Sequence, residues 1–277
     1  MGFGDYKASN LELNPELIDQ TLSLIEDCFE YSKENSFKVD FYPLFNPNNF
    51  KNCHILVDEN NQVVAHIGQK KRTLGSSFDS SLWGGIAVHK EFQGKGIFKN
   101  FFKSLLEKEN EKTIQILWSG DPDLYTKLGF ELKHQQFEYH QEDGNSEFQL
   151  IDKSTIDSLD LEMIKSLYHQ KSENFLMFRR TDQDWSDWKQ VTSADLYIQK
   201  KGEEIISYFL INKGQDLTNV IHEHFIPKEL FSKVRSHGNI WTAAYEFPYE
   251  PSQISYLGLF KNDPGLKKLW INGIDSI

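Results

Sequence analysis

The stretch from Ser81 to Leu106, SLWGGIAVHKEFQGKGIFKNFFKSLL, restricts the fold of this chain more than any other. Leu82 to Val88 is a short, apolar, glycine-bearing run between polar residues and reads as a buried strand. Gln93-Gly94-Lys95-Gly96 follows, where two glycines let the backbone turn sharply and approach a ligand with no Cβ in the way. From Ile97 the period becomes helical. Ile97, Phe101 and Leu105 form one apolar row, Phe98, Phe102 and Leu106 the adjacent one, and Lys99, Lys103 and Lys108 lie off both. A glycine turn that enters a helix straight after a strand leaves several N–H groups unpaired at the positive end of the helix dipole, an arrangement suited to phosphate. Taken alone, these four residues also fit an ordinary strand-to-helix turn.

The neighbouring sequence narrows the choice. The spacing Gln-x-x-Gly-x-Phe is neither the dinucleotide fingerprint nor the nucleoside-triphosphate loop, which disfavours both ligands. Ile114 to Trp118 reads as the next, parallel strand of a strand-helix-strand unit. Gly120-Asp121-Pro122-Asp123-Leu124-Tyr125-Thr126-Lys127-Leu128-Gly129-Phe130 then gives a proline-started short helix that stops at Gly129.

The Gln93-x-x-Gly96 turn after a Val-His strand end, with Leu124-Tyr125-x-Lys127-Leu128-Gly129-Phe130 downstream, resembles the GNAT superfamily of acyl-CoA N-acyltransferases over roughly residues 5 to 140. One residue departs from the pattern: Phe98 stands where the family usually has a second Gly or Ala. The resemblance implies an α/β fold (α+β, with a mixed sheet) and acetyl-CoA or a related acyl-CoA as co-substrate. It implies that the diphosphate is held by the loop Gln93, Gly94, Lys95, Gly96, Ile97 and Phe98. The pantetheine arm is expected along the strand edge at Ala87 and Val88, and Tyr125 beside the thioester sulfur as proton donor to the departing thiolate. The implied reaction is direct attack by a primary amine, of a small molecule or a peptide, on the acyl group. His66, His89, Glu91 and Asp121 are all candidate bases, and the family often uses water instead.

The remaining sequence fits this frame. A helix starting at Asn14-Pro15-Glu16 is expected to bury Leu17, Leu22, Ile25 and Phe29. The aromatic-rich stretch from Glu30 to Asn52 follows; Phe41, Tyr42 and Phe45 are candidates to line an acceptor pocket or to pack as local core. Cys53–Val57 and Gln62–Gln69 read as a hairpin turned by Asp58-Glu59-Asn60-Asn61. A last strand is expected at Glu131 to His140, followed by a polar linker that sets a boundary near residue 145, giving domains 1–144 and 145–277.

The second half repeats the first in outline. Asp195–Gln199 and Ile205–Ile211 echo the hairpin, Val220–Phe225 the organising strand, and Ile240–Tyr245 the strand before Tyr125. Where the first half has its glycine turn, the second has Pro227-Lys228-Glu229-Leu230-Phe231-Ser232, with no glycine. The expectation is a tandem of two GNAT-like domains, the second degenerate and without the phosphate-binding loop. His222 and His224 alternate on a strand as a metal pair would, but no third ligand accompanies them, and no metal is expected. Arg179 and Arg180 with Trp185 and Trp188 are candidates either to stack on a ligand or to pack at the domain boundary.

Composition limits the partners. A net charge of −11, spread over both halves, lacks the basic stripe that nucleic acid requires and weakly favours a cationic acceptor. The same balance argues against the rival of a transferase acting on aminoacyl-tRNA. No apolar run approaches the roughly 18 residues that span a bilayer. The N-terminus lacks a secretory layout, and Tyr6 stands where a myristoylation signal has Ser or Thr. Cys28 and Cys53 fit neither a disulfide framework nor a metal spacing, so they are expected as reduced core thiols in a cytoplasmic protein. A non-catalytic acyl-CoA sensor is the alternative from another class, kept open by Phe98 and the aromatics of residues 41–50.

Overall fold

The computed structural model describes residues 6–144, 147–243 and 249–276, and the chain divides into two compact units. The first holds the residues up to Leu132 together with Gly258–Pro264. Its elements are β1 (Lys7–Asn10), α1 (Ile18–Cys28), α2 (Phe37–Asp40), β2 (Cys53–Val57), β3 (Val63–Leu74), β4 (Phe78–Val88), α3 (Ile97–Leu106), β5 (Ile114–Leu117) and α4 (Asp123–Thr126). The strands lie in the order β1-β2-β3-β4-β5, antiparallel as far as β4, with β5 parallel to β4. Leu259, Phe260 and Lys261 extend this sheet by pairing antiparallel with Leu117, Ile116 and Gln115.

Local chemistry accounts for these elements. Asp58 closes the β2–β3 turn, its carboxylate accepting from the amides of Asn60 (2.9 Å) and Gln62 (2.8 Å), while Asn61 takes the left-handed φ of 62° that asparagine tolerates. In α3 the two apolar rows bury Ile97, Phe101, Phe102 and Leu105 against Trp83, Leu117, Tyr125 and Phe130. That cluster anchors α3 and fixes where its N-terminus points. In α1 the buried face is Thr21, Leu24 and Ile25, preceded by Leu17 in a 3-10 turn; Phe29 lies past the helix end and is exposed, contrary to the periodic reading. Cys53 is a buried free thiol, but Cys28 is only half-buried and its Sγ contacts Val88 O at 3.4 Å, so it is not a core residue.

The second unit comprises Lys133–Leu257 and Gly265–Ser276. It contains β6 (Glu131–Tyr139, from residue 133), β7 (Gln149–Ile151), α5 (Ser158–Ser172), α6 (Asp182–Gln190), β8 (Asp195–Lys201), β9 (Glu204–Lys213), β10 (Leu217–Phe225), α7 (Phe231–Arg235), β11 (Asn239–Thr242) and β12 (Gln253–Lys261, to residue 257). The strands β8, β9 and β10 pair antiparallel in turn and β10 pairs parallel with β11, the same succession as β2, β3, β4 and β5. Thr181 starts α6 with a capping box shared with Asp184.

Two expectations change here. The units do not meet at one cut near residue 145. The strand expected to close the first half, β6, pairs with β11 through Phe137↔Thr242 and Tyr139↔Ile240, and it buries Phe137 and Tyr139 in the second unit's core. The first unit takes residues 258–264 in exchange, from much later in the chain. β11 ends at Thr242; the rest of the expected strand falls partly on 244–248, outside the described residues.

Candidate active site

The first unit concentrates its chemistry where β4 leaves β5. Among the described residues the parallel ladder runs from Ser80↔Ile114 to Trp83↔Leu117 and stops, while β4 continues to Val88. The two strands therefore separate after Trp83. Just past that point β4 carries a bulge: its register against β3 shifts between Gly68↔Gly84 and His66↔Ala87, and Gly85 adopts φ 56°. A Cβ at Gly85 would lie 2.9 Å from Phe37 Cζ, so glycine is required both by conformation and by space. The Gly84-Gly85 pair inside an apolar run was the available signal for this bulge, and the periodic reading passed over it.

The turn after β4 has the geometry of an anion cradle. Gly94 and Gly96 take φ 73° and 77°, no atom lies within 4 Å of a Cβ built on Gly94, and Gly96 is the left-handed N-cap of α3. Asn100 N–H returns to Gly96 O at 3.1 Å; among the described residues no backbone hydrogen bond uses an amide of 94–99 as donor. No side chain caps α3. Its N-terminal amides are thus left for solvent or an anion.

The side chains around the turn do not all serve it. Ile97 is buried in the core and offers only its amide. Lys95 is exposed and places its ammonium 5.1 Å from the Phe92 ring centroid. Gln93 donates from Nε2 to Val88 O at 3.0 Å, and Cys28 Sγ contacts the same carbonyl, so both lone pairs of Val88 O are engaged by side chains. Ala87 is buried in register with His66. Phe98 points away from the cradle, stacking on Phe102 at 5.7 Å and meeting Tyr125 edge-on at 5.5 Å.

Tyr125 sits in the first turn of α4, buried among Phe98, Phe102 and Phe130. Burial pushes its phenol up to about 12; Ser119 as hydrogen-bond partner opposes the shift and the charge of Asp121 adds to it. At neutral pH the group is a neutral O–H donor. Ser119 was not singled out from the sequence, since a serine in a loop carries no pattern.

The candidate bases separate clearly. His66 is fully buried beneath the bulge, with Nδ1 2.6 Å from Gly85 O, the ring edge-on to Phe45, and Nε2 without a partner among the described residues. Because a carbonyl only accepts, Nδ1 carries the proton, and desolvation lowers the imidazole to about 4. His89 accepts from Glu91 N–H in its turn, and Glu91 and Asp121 are exposed. Phe45 is core, packed on Phe37 and Phe50; Phe41 stacks on Phe37 at 4.7 Å, and Tyr42 is half-buried.

In the second unit the singled-out residues form buried packing. Arg180 pairs through both terminal nitrogens with Glu223 (2.9 and 2.6 Å) and through Nε and Nη2 with Asp275 (3.1 and 2.7 Å), and its guanidinium lies over Tyr168 and Trp185. Trp188 donates to Glu223 at 3.3 Å, whereas Arg179 is exposed. His222 bonds Asn212 O through Nε2 and His224 packs edge-on to Trp270. Among the described residues no three His, Cys, Asp or Glu are placed to hold a metal.

Residues 11–133 match the family described as acetyltransferase (GNAT) domain. Those residues form a GNAT domain. No curated protein matches the sequence. Among solved structures the fold is similar to a GCN5-related N-acetyltransferase from Anabaena variabilis (TM-score 0.62, 13% identity, 92% of this chain and 72% of that one). It is also similar to a GCN5-related N-acetyltransferase from Kribbella flavida (0.57, 13%, 94% and 72%). N-myristoyltransferase of Saccharomyces cerevisiae, solved with bound myristoyl-CoA, aligns over all of this chain and 90% of its own at TM-score 0.61 and 8% identity. The family match covers residues 11–133, and the similar structures share the fold. No helix among the described residues is long and apolar enough to cross a membrane.

Proposed function

We propose that the GNAT domain transfers an acetyl group from acetyl-CoA to a primary amine by direct attack, in the cytoplasm, and that the second unit is a degenerate copy without a phosphate loop. The observation that carries this reading is the turn at Gly94–Gly96: two left-handed glycines open the amides at the head of α3 next to the gap between β4 and β5. Those amides hold the diphosphate of the co-substrate. The pantetheine arm enters the gap and adds to the β4 edge beyond Trp83 as an extra strand would. Pairing at Val88 O requires Gln93 or Cys28 to yield that carbonyl.

The amine attacks the thioester carbonyl, and amides of the bulged end of β4 stabilise the oxyanion. As the C–S bond breaks, the Tyr125 hydroxyl gives its proton to the departing thiolate, and the proton that the attacking nitrogen loses passes to water and restores the phenol. Acetyl is the acyl group named by the family and by two of the similar structures, while the yeast neighbour's bound ligand makes a longer chain the natural competitor. One observation favours the non-catalytic sensor: Phe37, Phe45 and His66 are packed against the bulge, filling that side of β4 with core.

Thermal unfolding with acetyl-CoA, myristoyl-CoA and free CoA, paired with thiol release over a panel of amines, tests both. A ligand near one hundred times its dissociation constant raises stability by about 2.7 kcal/mol. Stabilisation by acetyl-CoA with amine-dependent thiol release supports the transferase. Stabilisation without release under every amine supports the sensor, and no stabilisation by any CoA species sinks both.

A further inference from the structure

We propose that the cleft at the end of β10, in the second unit, is a binding site for a medium-chain carboxylate, an apolar body ending in one anionic group. The cleft encloses about 520 Å³, within the range of small-molecule sites. Its walls are Phe175 at the end of α5 and Phe225, Ile226 and Pro227 at the end of β10. Three lysines, Lys171, Lys228 and Lys268, also line it, with no aspartate or glutamate among the described lining residues. On a chain of net charge −11 such a cluster is a local reversal of sign, and a low-dielectric wall strengthens its pull on an anion.

The three ammonium groups have different standing. Lys171 is buried, donates to His224 O at 2.7 Å and lies 3.2 Å from the Trp270 ring centroid, so its nitrogen is held in place at the wall. Lys228 and Lys268 are exposed, and among the described residues neither is paired with a carboxylate. Two adaptable charges at the rim, beside an N–H donor held inside, suit an anionic head; the aromatic and aliphatic wall suits an apolar tail.

The place of the cleft supports a ligand of this kind over a diphosphate. The β10–β11 ladder ends at Ile221↔Ile240 while β10 runs to Phe225, as β4 outruns β5 in the first unit. The turn that follows differs in chemistry. Pro227 has no N–H, no glycine opens the backbone, and α7 is five residues long, so amides cannot cradle phosphoryl oxygens and side-chain charge stands in their place.

Calorimetric titration of the full chain with decanoate tests the assignment, with decylamine, decanol and inorganic phosphate as matched probes. Decanoate is expected to bind one per chain at millimolar concentration or below, more tightly than decanol and without detectable binding of decylamine. Lys228→Glu with Lys268→Glu should weaken decanoate at least tenfold while leaving the ligand-free unfolding midpoint in place. Gly96→Trp, which acts on the first unit, should leave decanoate binding intact. Absence of decanoate binding, equal binding of decylamine or phosphate, an unchanged affinity in the double variant, or loss of binding in Gly96→Trp would each overturn the proposal. None of these outcomes depends on whether acetyl-CoA is the co-substrate of the GNAT domain.

Discussion

The ring of Phe98 meets Tyr125 edge-on, with centroids 5.5 Å apart and planes at 75°. The residue that departs from the GNAT turn pattern therefore does not obstruct the turn; it helps to bury the proposed proton donor. Phe98→Ala removes that contact and the stacking on Phe102. Aromatic pairs contribute about 0.5–1.5 kcal/mol beyond burial, so the ligand-free unfolding midpoint should fall. The stabilisation by acetyl-CoA should persist, because the amides of the turn are untouched. Paired thermal scans with and without acetyl-CoA check this, and loss of the ligand effect would mean that the Phe98 ring itself forms part of the cradle.

Tyr125→Phe should spare acetyl-CoA binding and lower kcat about a hundredfold, the low end of what a positioned acid supplies. The pH profile gives a second reading. The phenol's pKa is raised by burial to about 12, and the active form is the protonated one, so its contribution is lost only as pH rises through that value. Turnover should show no falling limb assignable to Tyr125 between pH 7 and 10. A falling limb in that window, removed by Tyr125→Phe, would contradict the buried environment described for this hydroxyl.

The two glycines of the turn separate strain from obstruction. Gly94 has open space around its missing Cβ but a left-handed φ, so Gly94→Ala should cost about 1–2 kcal/mol of conformational strain, and the ligand-induced shift should be reduced rather than lost. Gly96→Trp combines the same strain with a bulky group at the head of α3 and should abolish the shift. Equal behaviour of the two variants in a thermal-shift titration would leave the cradle without support.

The local structure around the candidate site could be read from sequence because its determinants are local. The apolar rows of α3, the Asp58–Asn61 turn and the Gly94-Lys95-Gly96 turn are each set by residues within a few positions of one another. What escaped is set by distant partners. Phe137 and Tyr139 look like the end of the first half until their pairing with β11 is known, and nothing near Leu259 announces that it pairs with Leu117. The bulge at Gly85 depends on His66 and Phe37, residues 19 and 48 positions away in the chain, which touch only after the sheet forms. Arg180 was open to stacking on a ligand or packing at the domain boundary; Glu223 and Asp275, far along the chain, hold it inside the second unit.

His66 makes the fold acid-sensitive. Its imidazole is lowered by desolvation from 6.5 to about 4, so between those values the unfolded chain takes up a proton that the native one refuses. Stability from this group is complete above pH 6.5 and declines as pH falls toward 4. His54 and His222 are lowered in the same direction, to about 4 and about 3, and add to the slope. Urea midpoints measured from pH 7.5 to 4 should fall steadily through this window. His66→Gln, which keeps a donor for Gly85 O but cannot take up a proton, should flatten the decline. An unchanged slope in that variant would show that the imidazole is protonated or solvated in the native protein.

The Arg180 network sets the largest expected loss. Its guanidinium, 1% exposed, is the shared partner of Glu223 and Asp275, themselves 1% and 3% exposed, and the two carboxylates hold its pKa well above the usual value against the cost of burial. Arg180→Met keeps the length and apolar bulk of the side chain and removes the charge, leaving two buried carboxylates without it. Breaking a buried pair costs about 3–5 kcal/mol, because one or both acids must then be protonated to remain inside. The variant should be strongly destabilised at pH 7.5 and recover part of the difference near pH 5, opposite in sign to the histidine effect. A triple change, Arg180→Met with Glu223→Gln and Asp275→Asn, should be more stable than the single one at neutral pH, since no charge is then stranded. Urea unfolding of the three proteins at both pH values decides it; a single variant within about 0.5 kcal/mol of the parent, inside the ordinary range for a surface change, would show that water reaches these acids.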